Sequence, residues 1–162
     1  MPTPDQPPRR ARTRIVKEPL TQREGVAIDF FFLADSAQTS DGKLHMLGGG
    51  WSRVVTQKLP TVHPMAIAAG VGVPWLETNI KHHFVLEIRN EDTNEVLVKA
   101  EGAFETGRPS GMAVGSRQRA LIAMTMGLQF SRAGQHVAEL CVNGGAVIRR
   151  EPFEVVYQGP AH

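Results

Sequence analysis

The sequence predicts an all-β protein: an antiparallel β-sandwich of about eight strands, with an immunoglobulin-like or C2-like Greek-key topology and a flexible N-terminal arm. Three observations support this fold class. Apolar residues alternate at period two in one segment after another, as half-buried strands require. Turn sequences such as Asp41-Gly42 and Asn143-Gly144-Gly145 separate these segments. No segment has a convincing helical periodicity.

The 162 residues divide into three predicted parts. Residues 1–24 form a basic, proline-rich arm, residues 25–158 form a single sandwich domain, and residues 159–162 form a short tail. The arm holds six basic and three acidic side chains, a net charge of +3. It has too little apolar material to offset its ordering entropy, so we expect it to be disordered when alone. The candidate partner-binding residues of the arm are Arg9, Arg10, Arg12 and Arg14.

The first strands are predicted as one long β-hairpin over residues 26–55, which turns at Asp41-Gly42. At period two, one face of its first strand holds Val26, Ile28, Phe30, Phe32 and Ala34. The opposite face is also apolar at Phe31 and Leu33, which predicts that the strand is covered on both sides. Gly48–Gly50 interrupts the second strand and predicts a bend that carries the chain from one sheet to another.

The next strand is predicted at residues 65–73, after a loop over residues 57–64 and before Pro74, which ends it. This strand is small and apolar, and Gly70 and Gly72 leave room for tight packing. Alternation predicts further strands at residues 80–89, 95–105, 121–130, 138–142 and 146–157.

Three details qualify this series. Residues 106–116 form a glycine-rich loop. Residues 121–130 are predicted as a strand with core methionines, but their low β-branched content leaves a helix open. Pro152 predicts an edge or a bulge in the last strand, because proline cannot donate a ladder hydrogen bond.

Two stretches resemble an uncharacterised bacterial family of small β-sandwich proteins. Residues 33–50 fit its pattern LADxAxxxDGKLxxLGxG, and residues 73–82 fit its pattern VPWxETNxxH. The likeness covers roughly residues 26–157. The resemblance implies the sandwich fold and brings no established activity with it.

The candidate ligand-binding or structural polar cluster consists of Trp75, Glu77, Asn79 and His82. His82 falls on the apolar face of its predicted strand, where its ring nitrogens need hydrogen-bond partners that upstream residues of the cluster could supply. The cluster is interpreted first as a structural plug. A small-ligand or carbohydrate pocket walled by Trp75, with the loop near Arg108, is the alternative. No metal is expected, because His82 and His83 point to opposite faces of a strand.

The sequence contains no catalytic motif, and we predict neither enzymatic activity nor a cofactor. The single cysteine, Cys141, shares a strand face with Glu139, and a nearby carboxylate raises a thiol pKa rather than activating it. One cysteine excludes an internal disulfide and fits a reducing cytosol. No apolar run reaches membrane-spanning length, and no apolar segment of a secretory signal follows the N-terminal arginines. We therefore predict a cytoplasmic protein without membrane contact.

The leading functional hypothesis is a non-enzymatic β-sandwich that acts by protein–protein contact, as an adaptor, an assembly subunit or a homo-oligomer. A sheet edge and the arm would be its contact surfaces. The alternatives are small-ligand binding near Trp75 and His82, or nucleic-acid contact through the arginines of the arm. The arm has no aromatic residue for base stacking, which weakens the nucleic-acid alternative.

Overall fold

The computed structural model describes residues 25–159, which contain ten strands, a single-turn 3-10 helix (Trp75–Glu77) and no α-helix. The all-β prediction is confirmed, with ten strands rather than about eight. The strands are β1 (Ala27–Ala34), β2 (Ser36–Ser40), β3 (Lys43–Leu47), β4 (Arg53–Thr56), β5 (Thr61–Val73), β6 (His82–Asn90), β7 (Val96–Phe104), β8 (Gln118–Phe130), β9 (Gly134–Val142) and β10 (Val147–Tyr157).

These strands form three sheets. One sheet has the order β1-β5-β8, a second has the order β4-β10-β9-β6-β7, and β2 and β3 form a separate two-stranded ribbon. Every pairing in the described part of the chain is antiparallel except one, because β4 runs parallel to β10. The five-stranded sheet is therefore mixed, whereas the three-stranded sheet and the ribbon are wholly antiparallel.

The three-stranded and five-stranded sheets contribute to one buried core. Period-two alternation places large apolar side chains on the inner face of each sheet. Burying each of these side chains stabilises the fold by about 1.5–3 kcal/mol. The largest are Phe31, Leu33, Met65, Ile67, Leu86, Ile88, Phe130, Leu140 and Phe153. Residues 121–130 lie within β8, so the helical alternative is wrong, and Met124 and Met126 pack against the core as predicted.

Strand β5 is buried on both faces from Met65 to Val73. Its larger side chains enter the core, and its opposite face consists of Ala66, Ala68, Gly70 and Gly72. The ribbon of β2 and β3 lies on this small-residue face, where Ala37 packs against Ala66 and Ala68. The Thr125 hydroxyl of β8 donates a 3.2 Å hydrogen bond to the Ala37 carbonyl. Small side chains allow this close approach of two backbone layers.

The predicted hairpin over residues 26–55 is wrong in extent. Strand β1 pairs with β5, and only β2 and β3 form a hairpin, closed by Asp41-Gly42. Both turn residues have the positive φ of a tight hairpin turn, 50° and 68°. Gly48–Gly50 then carries the chain from this ribbon to β4 in the five-stranded sheet. The predicted crossing between sheets is therefore confirmed.

The predicted division of β1 into two faces is also wrong, because β1 contains a bulge. The pairing with β5 shifts between Ile28 and Phe30, which leaves Asp29 as the extra residue. Ile28 therefore joins Phe31 in the core, although simple alternation places them on opposite faces. The predicted loop over residues 57–64 is shorter as well, since β5 already begins at Thr61.

Pro152 lies where β10 has no neighbour on the side of β4. The β4 pairing begins with Glu154 opposite Arg53, and the Glu154 N–H donates to the Ser52 carbonyl at 2.9 Å. Pro152 is two residues earlier, so its nitrogen faces the same side, beyond the start of β4. The missing N–H therefore costs no ladder bond, which agrees with the predicted edge position.

Two glycines lie under phenyl rings from the neighbouring strand. Gly70 pairs with Phe30, and Gly102 pairs with Phe84. A Cβ at either glycine would collide with the ring opposite. The rings therefore fill the space that the absent side chains leave, and the tight packing predicted at Gly70 is confirmed.

We expect Gly70→Ala to lower the free energy of unfolding by about 1–3 kcal/mol, because the new methyl group must displace the Phe30 ring within a packed layer. Gly127→Ala in β8 is the matched control. Its Cβ would meet only Val62, an exposed side chain that can rotate, at 3.2 Å. Urea unfolding of both variants measures the difference, and equal stabilities would contradict the role of the ring.

Candidate functional site

The structure describes one of the two predicted sites. Arg9, Arg10, Arg12 and Arg14 lie outside residues 25–159, so the predicted partner-binding arginines remain a prediction. The second cluster is described in full, and its residues surround the turn between β5 and β6. Pro74 ends β5 and leads into the 3-10 helix that carries Trp75 and Glu77.

Arg108 from the glycine-rich loop covers Trp75. Its guanidinium carbon lies 4.3 Å from the indole centroid, a cation–π distance. Nη2 of Arg108 donates to the Trp75 carbonyl at 2.8 Å, and Nε donates to the Thr78 hydroxyl at 2.6 Å. The Thr78 hydroxyl in turn donates to the Trp75 carbonyl at 2.7 Å. Arg108 therefore fixes the loop onto the turn through both stacking and hydrogen bonds.

His82 is 3% exposed, and both of its ring nitrogens have partners within the protein. Nε2 donates to the Glu77 carbonyl at 2.9 Å, and Nδ1 accepts from the side-chain amide of Asn143 at 3.0 Å. This pair of bonds fits the neutral imidazole with its proton on Nε2. The ring also stacks on Phe104 at a centroid distance of 5.4 Å.

Asn79 completes the turn with its backbone rather than its side chain. It adopts φ 58°, and its N–H donates to the Thr106 carbonyl at 2.8 Å. Of the predicted four residues, Glu77 bonds to His82 through its carbonyl, whereas Trp75 and Asn79 bond to other residues of the turn and loop. Sequence reasoning missed Thr78 and Asn143. Asn143 lies 61 residues after His82, and no local pattern links them. The polar groups of this cluster mainly serve one another.

A different cleft lies where the chain crosses from β3 to β4. Its volume is about 460 Å³. It is lined by Asp35, Gly48, Gly49, Gly50, Trp51, Arg53, Val54, Val55 and His63. Gly48 adopts φ 59°, and the Asp35 carboxylate occupies the position that a Cβ would take there. The glycine segment therefore forms a thin wall that brings backbone and polar side chains together.

Several polar groups of this cleft have no partner among residues 25–159. The Asp35 carboxylate and the His63 ring nitrogens make no hydrogen bond there, and the Trp51 indole N–H is buried without an acceptor. The His63 ring lies near two aromatic rings, with the Trp51 centroid 6.0 Å away and the Phe130 centroid 6.4 Å away. Arg53 differs, because its Nη2 lies 3.0 Å from the Glu154 carboxylate. The cleft thus combines an unpaired acceptor with unpaired donors.

Strand β4 forms one end of the five-stranded sheet and borders this cleft. Glu154 N–H donates to Ser52 O and Gln158 N–H donates to Thr56 O, both at 2.9 Å. In a parallel ladder, this spacing turns the main-chain groups of Arg53 and Val55 away from β10. Val55 is 52% exposed. The edge of β4 is therefore open to an added strand.

A protein-family model matches residues 29–156, and its family is described as a family of unknown function, DUF6941. The chain belongs to this family. The match spans every strand from within β1 to within β10 of the DUF6941 domain, including the polar turn and the cleft. No curated protein matches the chain significantly.

Within the described part of the DUF6941 chain, no group of three or more histidine, cysteine and acidic side chains is arranged to hold a metal ion. No helix in the same range is long and apolar enough to cross a lipid bilayer.

Cys141 of the DUF6941 domain lies in an ion-paired row on the outer face of the five-stranded sheet. Burial raises the pKa of the Cys141 thiol, and the hydrogen bond with Glu139 raises it further. Glu139 has a lowered pKa because it accepts a hydrogen bond from Arg150, and Arg89 lies 3.7 Å away. Cys141 is therefore a protonated thiol at neutral pH, as the sequence predicted.

His136 is a buried histidine that sequence reasoning missed. It is 1% exposed and stacks on Phe153 at a centroid distance of 5.3 Å. Nδ1 donates to the Gly134 carbonyl at 3.0 Å, and Nε2 accepts from the Asn90 amide at 3.3 Å. His136 lies two positions before Ala138, so period-two alternation places both residues on the apolar face of the strand. That position was the signal available in the sequence. Burial lowers the pKa of His136, partly offset by its bond to Gly134.

We expect Arg108→Gln to destabilise the domain by about 1 kcal/mol, because it removes the cation on Trp75 and part of the hydrogen bonding to Thr78. Hydrogen exchange at residues 106–116 should accelerate. Arg132→Gln, an arginine of the β8–β9 turn, is the charge-matched control. Unchanged exchange in the loop of Arg108→Gln would show that Arg108 does not anchor it.

Stability should fall as the pH decreases through about 6.5, the pKa of an unfolded histidine. The lowered pKa of folded His136 means that the unfolded chain binds the extra proton first. The unfolding free energy therefore rises with pH in this window, by at most about 1.4 kcal/mol per unit. The unfolding free energy of His136→Gln, measured by urea titration, should be lower than that of the wild type. It should also change less between pH 5 and pH 7. An unchanged slope would exclude His136 as the cause.

Proposed function

We propose that this protein is a non-enzymatic, cytoplasmic adaptor or assembly subunit that acts by protein–protein contact. Its two larger sheets would form the layers of a β-sandwich. Its contact surfaces would be the edge of β4, with the adjoining cleft, and the arm with Arg9, Arg10, Arg12 and Arg14. The main support is the unpaired main chain of Arg53 and Val55 beside a cleft of unpaired polar groups.

An extended peptide fits this surface chemically. Arg53 and Val55 each present one N–H and one C=O to the open side of β4, which is the alternating pattern that an added strand satisfies. The strand has only four residues, so main-chain hydrogen bonds alone would give modest affinity. The neighbouring Asp35, Trp51 and His63 add side-chain contacts and hence specificity.

The other end of the same sheet is less suited to strand addition. Strand β7 carries Lys99 and Glu101, whose charged groups lie 3.8 Å apart and are mostly exposed. Charged side chains on an edge strand disfavour pairing with another chain. On β4, the one charged residue, Arg53, is already compensated by Glu154 on the neighbouring strand. This contrast favours β4 as the binding edge.

The chemistry of Cys141, His82 and His136 supports a non-enzymatic role, whereas His63 in the cleft keeps its ring nitrogens free of hydrogen bonds with residues 25–159. Cys141 has a raised thiol pKa, which disfavours the nucleophilic thiolate. His82 and His136 use both ring nitrogens in internal hydrogen bonds. A general base needs a free nitrogen within reach of a substrate proton, and neither ring offers one.

The alternative of a small-ligand or carbohydrate site at Trp75 and His82 has less support. Arg108 covers the Trp75 ring, and the polar groups around His82 are hydrogen bonded to one another. A ligand would have to break these contacts. Nucleic-acid contact through the arm depends on residues outside the described range and remains a prediction, tested by the salt dependence of binding.

Val55→Pro tests the proposed edge. The Val55 N–H faces the open side, so proline should remove a donor for the partner while it leaves the β4–β10 ladder intact. We expect the variant to fold cooperatively and to lose the partner that full-length wild-type protein retains in affinity purification from the native host.

Val55→Thr is the matched control, since it keeps the N–H and a β-branched side chain and should retain the partner. A third sample that lacks residues 1–24 separates the contribution of the arm. Equal recovery of the same partner by Val55→Pro and Val55→Thr would contradict binding at the edge of β4.

A further inference from the structure

We infer that the segment that adds to β4 is the N-terminal arm of a second copy of this chain, so that two copies form a reciprocal dimer. This inference rests on the proposed function and specifies its partner. Three features carry it: the sequence of residues 12–17, the unpaired charge in the cleft, and the position at which the arm joins the body.

The arm contains one segment with the composition of an edge-pairing strand. Residues 12–17 read Arg-Thr-Arg-Ile-Val-Lys, a run with three β-branched residues and no proline or glycine. Prolines flank this run at Pro8 and Pro19. The segment is six residues long, which is enough to cover the four residues of β4.

The charges of this segment complement the cleft. Asp35 presents a carboxylate that has no ion-pair partner among residues 25–159. Arg53 is already paired with Glu154 at 3.0 Å, so it adds little repulsion toward another cation. Arg12 and Arg14 are two positions apart, so in an extended strand they would project to the same side. One of them can reach Asp35 while Val55 meets an apolar or β-branched side chain.

The position of the arm favours a second copy over the same copy. Strand β1 runs from Ala27, opposite Gly72, to Ala34, next to Asp35 and the cleft. Arg117 holds the start of the body, since its Nη1 donates to the Gly25 carbonyl at 3.0 Å. The arm therefore leaves the body at the end of β1 far from the cleft, roughly 26 Å away for eight extended residues.

The linker to the arm segment is short for a return within one chain. Residues 18–24 span at most about 25 Å when fully extended. They would have to cover the whole length of β1 with no slack and then turn along β4. A second copy can place its β4 edge within reach without this restriction. Reciprocal exchange about a two-fold axis closes the assembly at two copies.

The test measures the mass of the full-length chain by size-exclusion chromatography with light scattering over a range of concentrations. Wild type and Val55→Thr should be dimers, and Val55→Pro should be monomeric at the same concentration. Far-UV circular dichroism and a cooperative urea transition establish that Val55→Pro is folded.

A second pair of variants leaves the body unchanged. Arg12→Gln combined with Arg14→Gln should raise the dimer dissociation constant about tenfold. The reason is that each of the two reciprocal arms loses its charge contact with Asp35 of the other copy. Arg9→Gln combined with Arg10→Gln removes the same amount of charge outside residues 12–17. This variant should change the dimer dissociation constant less than about threefold. A synthetic peptide of residues 11–18 should convert the wild-type dimer to monomer, whereas a scrambled peptide should not.

A wild-type chain that stays monomeric at every concentration would overturn the inference, and so would a dimer that Val55→Pro leaves intact. If both pairs of arginine substitutions raised the dimer dissociation constant equally, the assignment of residues 12–17 as the segment that pairs with β4 would be overturned. These failures differ from failure of the proposed function. A monomeric wild type that still retains a different protein, lost only in Val55→Pro, overturns the dimer and keeps the edge as a binding surface.

Discussion

The double-sided burial of β5 is the constraint on which the rest of the structure depends. Its inner face supplies Met65 and Ile67 to the common core, and its outer face consists of alanine and glycine. A strand with two covered faces needs a second layer, and the β2–β3 ribbon provides it. The ribbon can approach closely only because the outer face is small. The crossing at Gly48–Gly50, and therefore the cleft, follows from the need to return from this layer to the five-stranded sheet.

Alternation and turn residues were enough to predict most strands, because those signals are local. They identified β6 to β10, the turn at Asp41-Gly42 and the sheet crossing at Gly48–Gly50. They did not predict which strand pairs with β1. Sequence neighbours favour a hairpin, but β1 pairs with β5, whose small residues accommodate the Phe30 ring. The bulge at Asp29 escaped prediction for a similar reason, since one inserted residue reverses the face of every residue beyond it.

The predicted polar cluster shows the same limit at the level of a site. The position of His82 on the apolar face of its predicted strand indicated that its ring nitrogens need hydrogen-bond partners. The turn supplies one of these partners, the Glu77 carbonyl. Asn143 and Arg108 come from distant loops, and only the fold brings them to the cluster. The two stretches that resemble the family are thus explained by turns, close approaches and internal hydrogen bonds. Most of their residues account for how the chain folds, and the first stretch also supplies Asp35 and Gly48–Gly50 to the cleft beside β4.

A folded chain can offer a partner only those interactions that it has not used internally. Buried polar groups are normally paired, because an unpaired donor or acceptor costs about 1–3 kcal/mol. In the described part of this chain, two buried side-chain atoms lack a partner, the Trp51 indole N–H beside β4 and the Thr106 hydroxyl after β7. The cleft adds the solvent-exposed Asp35 carboxylate and the half-buried His63 ring, which make no hydrogen bond within the same part of the chain. The open main chain of Val55 lies at the same place. Since a strand satisfies main-chain and side-chain groups together, one extended segment would pair the open main chain of β4 and reach the exposed Asp35 carboxylate, whereas a small molecule would leave the edge unpaired.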